Sequence, residues 1–167
     1  MFKKFYPTFY MDSTYSIDFD AIYKEGYRGI IFDIDNTLVP HGADADDRAK
    51  KLMKHLQDIG FQVCFISNNN EERVKRFNQE INAKYVYKAN KPSVKNYKKA
   101  MEFMNTNTAN TIFVGDQLFT DVYGANRSNL RSYLVKPIDK HEEIQIVLKR
   151  KLEKIVLYFY KKTLKVK

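Results

Sequence analysis

A chain of 167 residues, 44% hydrophobic and 29% charged, has the size and composition of a globular domain with a real core rather than of a disordered or membrane-embedded chain. Its single cysteine excludes an internal disulfide framework and favours a reducing, cytoplasmic setting, and no apolar stretch approaches the roughly 18–20 residues of a membrane span. The net charge of +9 predicts an anionic partner, and it is concentrated late in the chain: from Lys140 onward nine Lys or Arg against three Glu supply +6 of it.

Residues 1–7 hold Lys3 and Lys4 but neither a long apolar core nor a small-residue cleavage site, so they do not read as a signal peptide. Phe2, Phe5, Tyr6, Phe9 and Tyr10 form an aromatic cluster of the kind that anchors at a membrane interface. Short apolar runs then alternate with segments of helical period. The runs at 29–34, 62–66, 84–87, 111–114 and 131–134 predict five buried strands. Between them, 46–59, 71–81, 93–104 and 118–128 repeat apolar residues every three or four positions; Ala49, Leu52, Met53, Leu56 and Ile59 make one such stripe. This alternation predicts an α/β chain, a Rossmann-like parallel five-stranded sheet with helices on both faces. No repeat, low-complexity stretch or linker divides it, so residues 1–167 are expected to form one domain, with its motif-bearing core at about 29–135.

In open parallel sheets, ligands gather at the carboxyl ends of the strands. After the first strand come Asp33, Asp35 and Thr37; after the second, Ser67, Asn68, Asn69 and Asn70; after the third, Lys91 and Pro92; after the fourth, Asp116, with Asp121 a helical turn on. Each alone has a bland reading as a helix cap or a solvated charge. Together, three or four acids, a lysine and two hydroxyls at one sheet edge fit phosphoryl transfer through an aspartyl-phosphate intermediate assisted by Mg2+, which takes hard oxygen ligands. Asp33 is the expected nucleophile and a metal ligand. Asp35 is the expected general acid and base, binding the metal through its carbonyl. Asp116 is the second carboxylate ligand, and Asp121 holds a metal-bound water or orients Lys91. Thr37 and Ser67 are placed to donate to the phosphoryl oxygens, Asn68 and the N–H of Ile34 to bind substrate, and Lys91 to neutralise charge on nucleophile and phosphate. Cys64 lies inside an apolar run, and the next arginine, Arg73, is too far along for a cysteine-phosphatase loop, so the thiol reads as structural. His41, His55 and His141 show no ligand spacing and are not read as catalytic.

The motifs Asp33-x-Asp35-x-Thr37, Ser67 after an apolar run, Lys91-Pro92 and Gly115-Asp116-x-x-x-x-Asp121, in that order, resemble those of the haloacid dehalogenase superfamily of phosphohydrolases. The stretches 29–39, 66–69 and 114–121 are similar to the small YqeG-like branch that includes phosphatidylglycerophosphate phosphatases. The resemblance implies that same fold, Mg2+ dependence and a phosphatidylglycerophosphate substrate in phospholipid biosynthesis. Other readings are a phosphatase of a phosphoprotein or a nucleic acid end, and a non-catalytic binding module on the same fold; retention of both Asp33 and Asp35 weighs against the last.

Superfamily members commonly insert lid domains after the first motif or before the lysine motif. Residues 40–47 and 88–90 are too short for either, so no inserted lid and an open site are expected, suiting a large or membrane-bound substrate. A basic amphipathic helix is expected at about 141–162, with Val147, Leu148, Leu152, Ile155, Val156 and Phe159 as its apolar stripe. Two placements stay open: the stripe covers the sheet while the lysines stay in water, or the helix lies on an anionic phospholipid surface, peripheral to the inner face of the membrane.

Overall fold

The structure, a computed structural model, describes residues 1–140 and 142–165. His141 and the expected helix start at 141 lie outside the described residues. Six strands, all parallel, make one sheet: β1 (Phe9–Met11), β2 (Gly29–Phe32), β3 (Gln62–Ile66), β4 (Lys84–Val86), β5 (Thr111–Gly115) and β6 (Arg131–Val135), ordered β1-β6-β5-β2-β3-β4. The five expected strands are present, but β1 is a sixth. It pairs with the β6 edge, and Thr8 and Ser132 fasten it by exchanging backbone N–H to side-chain hydroxyl bonds of 3.1 and 3.0 Å. Three residues are too few to display a period, which is why the pattern of apolar residues does not reveal it.

Successive strand residues are buried toward alternate faces of the sheet. Ile30, Phe32, Val63, Phe65, Ile112 and Val114 face one layer, made by α1 (Phe19–Lys24), α2 (Asp47–Ile59) and α3 (Glu71–Asn78). Ile31, Cys64, Ile66 and Phe113 face the other, where α4 (Val94–Met104) and α5 (Tyr123–Arg127) supply Tyr97, Ala100, Met101, Met104 and Ala125. Cys64 is fully buried, and burial pushes its thiol pKa up to about 12, as suits a structural thiol. Asp46, Asn70 and Asp18 cap the starts of α2, α3 and α1 with side-chain oxygens, and left-handed Gly60 ends α2.

The expected helix at 118–128 is broken in two: a π turn at Leu118–Val122 precedes α5. The wider turn carries Asp121 back toward the β5 end, and its carboxylate accepts the N–H groups of Asp116 and Gln117 at 3.1 Å each.

The long helix α6 (Ile144–Lys165) packs against the π turn, the N-terminal segment and Leu134 of β6. The N-terminal aromatics are not free anchors: Phe2 stacks on Phe159, Phe5 meets Phe119 and Tyr123, and Tyr6 meets Tyr160, with ring centroids 4.9–5.6 Å apart. Of the expected apolar stripe of α6 only Val156 is buried, in a cluster with Leu134 of β6 and with Leu118 and Val122 of the π turn. The buried side chains of the helix are Glu153, Val156 and Tyr160, whereas Leu148, Leu152 and Ile155 stay exposed. Polar anchors fix this rotation: Glu153 accepts the N–H of Leu118 at 2.8 Å, and Arg150 reaches the carbonyl of Asp116 at 2.6 Å. No described helix is long and apolar enough to cross a membrane.

At the end of β5, a Cβ added to Gly115 would fall 2.6 Å from Cγ of the fully buried Asp121. Gly115→Ala is therefore expected to lower stability by about 1–3 kcal/mol, the usual penalty for overpacking, measured by urea denaturation with far-UV circular dichroism.

Candidate active site

Sheet register assembles the site. Phe32 pairs with Phe65 on one side and Val114 on the other, so the residues just past these positions converge at one edge. β2 is also where the strand order reverses direction, between β3 and β5, the place where open α/β sheets form a crevice. Asp33 follows β2, with its N–H donating to the Val114 carbonyl at 3.0 Å. Asn36 adopts a left-handed conformation (φ 62°) that turns the chain back, with its N–H on the Val39 carbonyl at 2.8 Å.

Asp33, Asp116 and Asp121 are all buried, and one carboxylate oxygen of each lies within 4.8 Å of the others. Lys91, itself buried, places Nζ 2.6 Å from Asp33 and 2.6 Å from Asp121. Burial would strip the charge from Lys91, but Asp121 and Asp33 overcome that and hold its pKa raised. Asp33 is pushed up to about 6, chiefly by burial, with Asp121 adding to the rise and Lys91 opposing it. Asp116 is raised as well, by burial and by the two neighbouring aspartates, against Arg150.

Thr37 donates its hydroxyl to Asp33 at 3.0 Å and lies 3.2 Å from Asp116, so it ties these two carboxylates together. Ser67 is buried at the end of β3, where its hydroxyl accepts the N–H of Asn69 at 3.0 Å. Asn68 clamps the backbone of Lys91: its Oδ1 accepts the Lys91 N–H at 2.7 Å and its Nδ2 donates to the Lys91 carbonyl at 3.4 Å. Asp121 engages both oxygens, one with Lys91 and one with two backbone N–H groups.

Two arginines complete the arrangement. Arg73, on α3, is buried and donates from Nη2 and Nε to Asp35 Oδ1 at 2.9 and 3.3 Å; the N–H of Gly42 reaches the same oxygen at 2.7 Å. Its Nη1 is buried without a hydrogen-bond partner among the described residues. Arg150, on α6, pairs with Asp116 Oδ2 and also binds Glu142 at 2.9 Å and Glu153 at 3.0 Å. Five acidic side chains thus surround two cations, Lys91 and Arg150. Such a set of hard oxygen donors with excess negative charge fits a divalent cation, and Asp33, Asp116 and Asp121 are the carboxylates that could hold it.

The sequence does not announce the arginines. Arg73 reads there only as a misplaced partner for Cys64, and Arg150 lies 34 positions from Asp116 on a helix whose basic residues all look alike.

A cavity of about 480 Å3 opens over Asp33, Asp35, Ser67, Asn68 and Lys91. No inserted lid covers it, but the start of α6 does line its mouth with Gln145, Ile146 and Lys149. A C-terminal element thus joins the short loops in lining the cavity. His41 also lines the cavity, whereas His55 pairs with Asp20 on the surface.

Residues 41–129 match the haloacid dehalogenase-like hydrolase family, a span that holds Ser67, Lys91, Asp116 and Asp121. The chain is 33% identical to the probable phosphatase YqeG of Bacillus subtilis over 94% of its length and 92% of that protein. It is 24% identical to the phosphatidylglycerophosphate phosphatase 1 of Arabidopsis thaliana, over 84% of this chain and 44% of that one. The fold is shared with the cobalt-bound deoxy-D-mannose-octulosonate 8-phosphate phosphatase of Haemophilus influenzae, at a TM-score of 0.54 and 14% identity, covering 66% of this chain and 69% of that one.

Removing Lys91 strands Asp33 and Asp121 without their shared cation. Lys91→Met is expected to lower unfolding free energy by about 3–5 kcal/mol, as for other broken buried ion pairs, read from urea denaturation midpoints.

Proposed function

This chain belongs to the haloacid dehalogenase-like hydrolases, and we propose that it is a magnesium-dependent phosphomonoesterase acting on phosphatidylglycerophosphate at a membrane surface. The observation that carries the chemical part is the contact of Asp33, at the floor of the cavity, with a buried, protonated Lys91 at 2.6 Å. The substrate rests on the similarity to a phosphatidylglycerophosphate phosphatase and on the absence of an inserted lid.

In this reading one Asp33 carboxylate oxygen attacks phosphorus, and the bond from phosphorus to the ester oxygen breaks. Asp35 gives its proton to the departing alkoxide. All three donors that reach Asp35 among the described residues converge on Oδ1, which leaves Oδ2 to carry that proton. Asp35 then takes a proton from water, whose oxygen attacks the aspartyl phosphate; inorganic phosphate leaves and Asp33 is regenerated. Lys91 offsets charge on the nucleophile and the phosphoryl oxygens, and Ser67 and the N–H of Ile34 donate to those oxygens.

Asp121 acts through Lys91, because both its oxygens are already engaged. Thr37 acts through Asp33 and Asp116, and Asn68 through the Lys91 backbone. Asp33 and Asp116, with the carbonyl of Asp35, would hold a magnesium ion, which when bound supplies positive charge to the phosphoryl group. Arg73 and Arg150 orient Asp35 and Asp116.

Two tests follow. Asp33→Asn is expected to stay folded and to lose hydrolysis of both p-nitrophenyl phosphate and phosphatidylglycerophosphate in mixed micelles by about a thousandfold or more, as when other nucleophiles are removed. Full residual activity refutes the nucleophile; hydrolysis of the aryl phosphate alone refutes the lipid substrate. Magnesium should raise the melting temperature of the native chain, and Asp116→Asn should abolish that rise; chelator should stop turnover in both assays.

A further inference from the structure

The surface of α6 that points away from the protein is apolar. Leu148, Leu152, Ile155 and Phe159 follow one another at four-, three- and four-residue spacing, so they line one side of the helix, and they are 59%, 56%, 51% and 42% exposed. An adjacent side carries Glu153, Val156 and Tyr160, which are buried against the π turn, the N-terminal segment and Leu134 of β6. Phe2 stacks on the Phe159 end of the outward face, while Leu148, Leu152 and Ile155 stay more than half exposed.

The charges around the outward face have one sign. Lys149, Lys151, Lys154, Lys161 and Lys162 are all exposed. The one acidic residue of α6, Glu153, is on the buried side and paired with Arg150. An occupant must therefore be apolar at its centre and anionic around it. A nucleic acid would gain nothing from the four apolar side chains, and a second copy would bring the same lysines together.

We infer that the outward face of α6 docks this protein onto an anionic lipid bilayer, with its apolar side chains at the acyl boundary and its lysines among the headgroups. The start of the same helix, through Gln145, Ile146 and Lys149, lines the mouth of the cavity over Asp33. Docking sets that mouth against the surface where a phospholipid headgroup lies. The inference rests on the lipid-phosphatase reading for its purpose, and on exposure and charge for its evidence. It also assigns a task to the Arg150–Asp116 pair, which holds α6 in the rotation that presents this face.

The test is flotation of the full chain with vesicles of phosphatidylcholine alone or mixed with phosphatidylglycerol, at low and high salt. The chain should float with the anionic vesicles, much less with the zwitterionic ones, and less as salt rises. The double variant Leu152→Gln, Ile155→Gln should reduce partitioning about tenfold or more, and Lys151→Gln with Lys162→Gln should reduce it by a comparable factor. Both should keep native hydrolysis of p-nitrophenyl phosphate without lipid, which shows that they fold. Asp33→Asn should float like the native chain, so an inactive nucleophile variant separates docking from catalysis. A native chain that stays unbound, variants that float unchanged, or a dimer in light scattering that the apolar variant dissolves would each overturn the inference.

Discussion

Buried negative charge at one sheet edge is the constraint that organises this molecule. Asp33, Asp116 and Asp121 share a volume in which any isolated carboxylate would be strongly disfavoured. Lys91 offsets two of them directly and Arg150 a third, yet Glu142 and Glu153 draw on the same guanidinium. Burial first, and the neighbouring aspartates second, hold the pKa values of Asp33 and Asp116 raised against these cations. A folded chain that keeps such an arrangement has a place ready for added positive charge.

Much of the surrounding architecture serves to hold these groups. The left-handed Asn36 aims the loop after β2, and the π turn returns Asp121 to the end of β5 where Gly115 leaves room for it. Tyr97, on α4, shares its hydroxyl proton between the carbonyls of Thr120 and Asp121, 3.1 Å from each, and so braces the turn. The Asn68 clamp fixes the peptide of Lys91. Each is a contact that helps to position a charged side chain of the site. Phosphoryl transfer depends on such positioning more than on any single reactive group.

The strands that flank the site were readable because their apolar runs are continuous, as expected when both faces of a parallel sheet are covered. Asp33, Ser67 and Asp116 were readable for a related reason: each stands directly behind such a run, and the sheet brings run ends together, while Lys91 follows a short loop after β4 at the same sheet end. The edge strand β1 was not, since Phe9-Tyr10-Met11 has no length in which to show a pattern. Arg73 and Arg150 were hidden because their partners lie 38 and 34 positions away, and nothing local distinguishes them from surface arginines. The rotation of α6 buries Val156 of its apolar stripe and leaves Leu148, Leu152 and Ile155 exposed. A stripe of Leu and Ile normally turns inward, but here the ion pairs of Arg150 and Glu153 at the site fix the helix the other way.

The most direct examination of this account is a crystal structure of the native chain grown with magnesium and beryllium fluoride. The account predicts a fluoroberyllate bonded to a carboxylate oxygen of Asp33, within reach of Lys91 and Ser67, and a metal ion contacting Asp33 and Asp116. A fluoroberyllate bound elsewhere, or an ion that leaves Asp116 untouched, would contradict it.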